Sequence, residues 1–264
     1  MLGKLLAPWR WITSPVFYGM ENIPEERGAL FVSNHTLMGM LDVPLLLFEL
    51  LDKRGLLLRS LGDRLHYETL PSFWGDVCSS VGVVLGTPEG CARLMRAGES
   101  ILVFPGGGRE VCKRKGEKYG LVWKERTGFA RMAIEHGYPI IPVSAIGADD
   151  CFDILIDAND ILNTPLRGPI ERLGLREDLI PPLIRGVGLS VWPRPERFYF
   201  RFGEVIETAQ YEGRSDDPEA LCAVRDQTRA AVEEGIEWLL AEREHDPGRD
   251  LVGRLRRRFW PLRG

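Results

Sequence analysis

Of the four histidines in this chain, His35 has the setting that best suits chemistry. It lies in the run Asn34–His35–Thr36–Leu37–Met38–Gly39–Met40–Leu41–Asp42, just past a short apolar stretch, Ala29–Ser33, that reads as a strand. Open α/β sheets bind ligands at the carboxyl ends of their strands. Imidazole, with an unperturbed pKa of about 6.5, is the natural general base at neutral pH. Leucines and methionines on both sides suit a greasy substrate, and they suit a core histidine as well. Asp42 also has two readings. It orients an imidazole as the acid of a triad does, or it caps a helix that opens before Pro44.

A second chemical segment is Phe104–Pro105–Gly106–Gly107–Gly108–Arg109–Glu110, again just past a strand-like run. Three glycines let backbone amides approach a ligand closely and gather as an anion-binding nest. Arg109 could clamp phosphate bidentately, and Lys113, Arg114, Lys115 and Lys118 would continue a basic lining. A flexible turn followed by solvated charge fits the spacing equally. No G-x-x-x-x-G-K-[ST] motif is present, so this is not a nucleotide P-loop. No G-x-S-x-G is present either, which argues against a serine nucleophile elbow. The five cysteines are odd in number and form no C-x-x-C; they read as reduced thiols, not as disulfides or a zinc site. The scattered histidines suggest no metal.

Elements at regular intervals would position these groups. Strands are expected at Ala29–Ser33, Gly55–Arg59, Val81–Leu85, Ser100–Phe104, Ile140–Ile146 and Phe198–Phe202. The last of these alternates, which predicts one buried face. Helices are expected from Asp42–Pro44 to about Asp52, from Thr87–Pro88 to near Gly98, through Phe129–Ala133 up to Gly137, and from Asp217–Pro218 onward. Alternating strands and helices predict an α/β fold with a mostly parallel sheet flanked by helices. Residues 147–190 read as short helices and proline-rich loops. A chain of 264 residues suits one domain whose core buries roughly 70–75% of the unfolded surface.

With 44% hydrophobic and 27% charged residues the composition excludes disorder. The formal charge of −4 is unevenly spread. Residues 249–264 carry six arginines against Asp250, or +5, which leaves −9 for the rest. An acidic body with a basic tail is not a general nucleic-acid binder and suits contact with an anionic surface at one end. No stretch approaches the roughly 20 apolar residues of a membrane span. Near the start, Leu2, Leu5, Leu6, Trp9 and either Trp11 or Ile12 can share a helical face beside Lys4 and Arg10. That pattern fits a bilayer interface or a terminal helix packed on the core.

Taken together, the segments resemble the glycerolipid acyltransferase superfamily, with the lysophospholipid acyltransferase fold, and within it the mono- and diacylglycerol acyltransferase-like branch. Gly19–Pro24 with Leu30–His35 is similar to the opening block, and Val81–Leu85 to the second. Phe104–Glu110 is similar to the glycine-rich third block, and Arg126–Phe129 through Pro139–Pro142 and Gly147 to the fourth. The likeness covers roughly residues 16–206. No single block is specific; their order is. Met40 stands where the phospholipid branch has aspartate, and Gly106 where that branch has glutamate. Both departures point to the diacylglycerol-like branch, which carries a glutamate at the place of Glu110.

The resemblance implies an O-acyltransferase. A long-chain acyl group would pass from an acyl thioester, on coenzyme A or acyl carrier protein, to a hydroxyl of a lipid acceptor by direct attack. His35 is the implied base, with Asp42 or Glu110 as its partner. Asn34, Gly106, Gly107, Gly108, Arg109 and Arg126 would bind substrate, with no metal or cofactor. A hydrolase acting at the same histidine and a non-catalytic lipid-binding protein are the alternatives. The expected organisation is an amphipathic membrane-interface segment over 1–20, the catalytic domain over 21–246 and a basic tail over 247–264. The expected location is cytoplasmic, held peripherally at an anionic membrane surface.

Overall fold

Leu30, Phe31, Val32 and the whole run Ile140–Ile146 are buried, so these strands are covered on both faces. Near-continuous apolar runs of this kind belong to parallel sheets sandwiched between helices. The computed structural model describes residues 2–63, 75, 79, 82–165, 167–172 and 176–259. Val81, one of the five cysteines (Cys78) and the last arginine of the basic tail (Arg263) lie outside the described residues.

In chain order the elements begin with α1 (Leu2–Thr13), β1 (Val16–Tyr18), β2 (Leu30–Ser33), α2 (Val43–Arg54), β3 (Leu58–Gly62) and β4 (Val83–Leu85). Next come α3 (Pro88–Arg96), β5 (Ser100–Val103), α4 (Gly108–Val111), α5 (Gly128–His136), β6 (Ile140–Ile146) and β7 (Asp153–Ile156). The chain continues through α6 (Ala158–Leu162), α7 (Arg167–Arg172), β8 (Leu183–Arg185), β9 (Tyr199–Phe202), α8 (Pro218–His245) and α9 (Leu251–Phe259). Seven strands form one sheet in the order β1-β9-β6-β2-β5-β3-β4. The five from β6 to β4 are mutually parallel, β9 runs antiparallel to β6, and β1 closes the edge parallel to β9.

Alternate side chains feed two cores. Leu30 and Val32 pack with α5 and α8 through Ala133, Val224 and Ile236. Phe31 packs on the other side with Leu45, Leu46 and Leu50 of α2. Caps fix the helix starts: Asp42 accepts from Val43 N at 2.9 Å, and Thr87 accepts from Gly90 N at 3.1 Å.

Three expectations need correction. The strand expected over Gly55–Arg59 begins at Leu58, because Gly55, at φ 62°, ends α2 by donating to Leu50 O and Leu51 O. The Phe198–Phe202 strand is not one-faced. Tyr199 is as buried as Phe200, since β9 lies between β1 and β6 and its second face meets the α8 side. Within 147–190 the chain also forms an antiparallel pair, β7 with β8. Among the described residues no helix is long and apolar enough to cross a membrane.

Candidate functional site

Because β2 lies between β5 and β6 and runs parallel to both, three carboxyl ends open side by side. Asn34 and His35 follow β2, Pro105–Glu110 follows β5, and Gly147–Asp149 follows β6. The sheet thus brings His35 beside the glycine turn.

The His35 ring stacks on Phe104, with centroids 4.0 Å apart and planes 18° apart. On another side it touches Gly39, where any Cβ would overlap the ring. Gly39 also has φ 59°, following Met38 at φ 64°, so the loop needs glycine there for backbone and space alike. Three anchors hold the loop. Glu110 Oε2 accepts from His35 N at 2.8 Å, Asp149 Oδ1 accepts from Leu37 N at 2.6 Å, and Val111 O accepts from Met38 N at 3.1 Å.

Glu110 is fully buried, and its other oxygen accepts from Val122 N at 2.7 Å. Burial pushes its carboxyl above the usual range, and the two N–H donors partly oppose that rise. A Cβ on Gly106 would overlap this carboxylate, which explains glycine at 106. Glu110 therefore acts on the main chain of His35. Asp42 is buried and caps α2, and burial pushes its carboxyl up to about 6.

Asn34 cross-links β2 to β6, accepting from Ala145 N at 2.8 Å and donating to Ala145 O at 2.9 Å. Arg126 donates to Pro105 O at 2.7 Å and Gly106 O at 2.8 Å, so it holds the glycine turn in shape. Gly107, at φ 51°, starts α4 and turns its N–H to Phe104 O. Gly108 packs against the end of the Leu179 side chain, which would have to move to admit a Cβ there.

Arg109, expected to clamp phosphate, turns inward instead. Its guanidinium is buried, pairs with Glu117 and donates to Cys112 O at 3.3 Å. Of the lysines, Lys113 is also buried, paired with Asp149 at 2.5 Å. Arg114, Lys115 and Lys118 line an open cleft of about 300 Å³ beside Leu37. Lys115 and Lys118 are half exposed and pair with Asp160 and Asp150, contacts of the kind that surface anions readily exchange.

Sequence reasoning missed Asp149. It accepts from Leu37 N, Lys113 Nζ and Tyr119 N, and so joins three segments around the loop. Its signal was its place, two residues past Gly147 at the end of a buried strand. On the far side of the loop, Met40 and Leu41 enter an apolar groove of about 550 Å³ walled also by Trp9, Trp11, Trp192 and Leu251.

A family model described as Acyltransferase matches residues 14–146. Phytyl ester synthase 2, chloroplastic, of Arabidopsis thaliana is 31% identical over 91% of this chain and 36% of its own length. An uncharacterized protein of Mycobacterium tuberculosis is 30% identical over 86% of this chain and 62% of its own. The chain thus spans about a third of the plant relative and under two thirds of the mycobacterial one. The crystal structure of the 1-acyl-sn-glycerophosphate acyltransferase PlsC from Thermotoga maritima matches with a TM-score of 0.56 and 17% identity. That match covers 91% of this chain and 78% of the other, and the two share the fold.

Proposed function

The chain belongs to the acyltransferase family, and from that premise we propose an O-acyltransferase that moves a long-chain acyl group from an acyl thioester to a lipid hydroxyl. The observation that carries this reading is the imidazole of His35 set beside the glycine turn, with apolar Met40 and Leu41 leading away from it.

In the proposed step, His35 takes the proton of the acceptor hydroxyl as its oxygen attacks the thioester carbonyl. The tetrahedral intermediate collapses to an ester, and the leaving thiolate takes that proton back. The general-base contribution is about 10²–10⁴ in rate. The amides of Gly106 and Gly108 are the candidate donors to the oxyanion, worth roughly 10²–10³. Glu110 and Asp149 are positioning residues that fix the loop, and Asp42 fixes the helix that follows. Asn34 and Arg126 shape the walls. The phosphates of coenzyme A or of a carrier's phosphopantetheine would lie along Arg114, Lys115 and Lys118, a shift outward from Arg109.

The name of the plant relatives points to a phytyl alcohol as one acceptor to try, beside glycerolipids, glycolipids and straight long-chain alcohols. A membrane-held acceptor suits docking of α1 and the basic C-terminal helix on an anionic surface. The test is transfer of a labelled acyl group from acyl-coenzyme A across that acceptor panel. His35→Ala should lower transfer at least about 100-fold; full transfer by the variant refutes the assignment. Release of free fatty acid without acceptor dependence would mean water is the nucleophile, and tight donor binding with no turnover would mean a lipid-binding protein.

A further inference from the structure

The groove beside the catalytic loop has a rim that the proposed reaction does not use. After β8 the chain makes a tight turn over 186–192, closed by Gly186 N to Ser190 O at 2.7 Å and Val187 N to Trp192 O at 2.8 Å. This turn holds Leu189, 93% exposed, at its tip, with Val191 at 67% and Trp192 at 75% beside it. Trp192 lines the groove with Trp11 of α1, Met40 of the catalytic loop and Leu251 of α9. Trp11 and Leu251 also line a neighbouring cleft of about 370 Å³ whose other walls include Arg254, Arg257 and Arg258. Arg254 donates to Ile12 O at 2.8 Å and Pro195 O at 2.5 Å, which fastens α9 to α1 and to the segment entering β9. Arg257 and Arg258 are left exposed next to the aromatic rim.

We propose that the turn over 186–192, Trp11 and the Arg257–Arg258 face of α9 form one platform that seats on an anionic lipid bilayer, with the groove facing that bilayer. The proposal rests on the acyltransferase reading for its purpose and deepens it by naming the docking face. Aliphatic tip, flanking tryptophans and adjacent arginines match the layers of a bilayer interface: acyl chains, interfacial belt and anionic headgroups. Charge selects the anionic bilayer over a symmetric pair of copies joined at this face, because such a pair would set the cationic rim of one copy against the same rim of the other. The platform is also wired to the site. Trp9, two residues before Trp11 on α1, donates from Nε1 to Leu41 O at 2.8 Å. Docking therefore aligns the loop bearing His35 with the source of lipid.

The experiment is flotation of the full chain with vesicles of phosphatidylglycerol and phosphatidylcholine in equal amounts, and with phosphatidylcholine alone. Leu189→Ser/Val191→Ser should lower partition about tenfold on both vesicles, since it removes apolar insertion. Arg257→Gln/Arg258→Gln should lower it at least about tenfold on the anionic vesicles only, at roughly fivefold per cation, and the difference should vanish at high salt. Both double variants should keep wild-type transfer between detergent-solubilised substrates. Wild-type flotation of the turn variant would overturn the proposal. So would a wild-type dimer broken by that variant with no vesicle binding, which would assign the face to a second copy. His35→Ala should float normally. Normal flotation by an inactive wild type would leave the platform standing and sink the acyltransferase reading alone.

Discussion

Glu110→Gln separates two ways in which a buried glutamate can serve His35. The carboxylate accepts from two main-chain donors, His35 N at 2.8 Å and Val122 N at 2.7 Å, with no exposure to water. Glutamine offers one carbonyl oxygen and one amide group. One donor keeps an uncharged bond; the other faces an N–H and loses its partner. A hydrogen bond to a charged group is worth about 1.5–3 kcal/mol, and a buried unpaired donor costs about 1–3 kcal/mol. Removing the buried charge offsets part of this, because burial already disfavours that charge. The expected net loss is about 2–4 kcal/mol, read by urea denaturation. Release of the His35 amide should also shift the imidazole against Phe104 by a fraction of an ångström, lowering kcat by on the order of 100-fold. Glu110→Asp, one methylene shorter, keeps the charge but cannot span both donors, and should fall between. A Glu110→Gln protein as stable as wild type, yet without activity, would refute the main-chain role and make Glu110 a partner of the imidazole itself.

Asp42→Asn should flatten the pH dependence of stability. The folded carboxyl titrates at about 6 against an ordinary 3.8. From about pH 4 to 6 the fold therefore keeps a proton that the unfolded chain has released, and stability falls as pH rises through that window. The total is about 3 kcal/mol at roughly 1.4 kcal/mol per unit; denaturation of the variant with the wild-type slope would refute it. Gly39→Ala adds a side chain at φ 59° and into the His35 ring. It should cost about 1–2 kcal/mol and lower kcat/KM by about 100-fold or more, and wild-type kinetics would show that the ring does not rest there during catalysis.

Much of this was legible because the signals were local. Ile140–Ile146 is an unbroken apolar run, as a strand covered on both faces must be, and Asp42–Val43–Pro44 and Thr87–Pro88 carry their own helix starts. His35 and the glycine turn announced themselves by residue type and by position after a strand. The illegible parts depend on burial and distance. Nothing in the spelling of Arg109 or Lys113 says that each turns inward to Glu117 or Asp149, because sequence records a charge and not its solvent. Glu110 was singled out, but its hold on a main-chain N–H leaves no mark on the residue held. Tyr199 read as the exposed half of an alternating, one-faced strand, because nothing in that segment says that the distant α8 packs on its second face.

That edge strand bears on the order in which the protein can be assembled during synthesis. Val16–Tyr18 pair in the sheet with Tyr199–Arg201, about 180 residues further along. At about 5–20 residues per second a ribosome needs roughly 10–40 s to supply that partner. Throughout this interval β1 has no place in the sheet, and α1 rests on the early-made segment 41–49 through Trp9 to Leu41 O and Arg10 to Glu49. The parallel strands β2 to β6 are all made earlier and can pair before β1 and β9 join them, while the sheet face that α8 covers stays open until residues 218–245 follow.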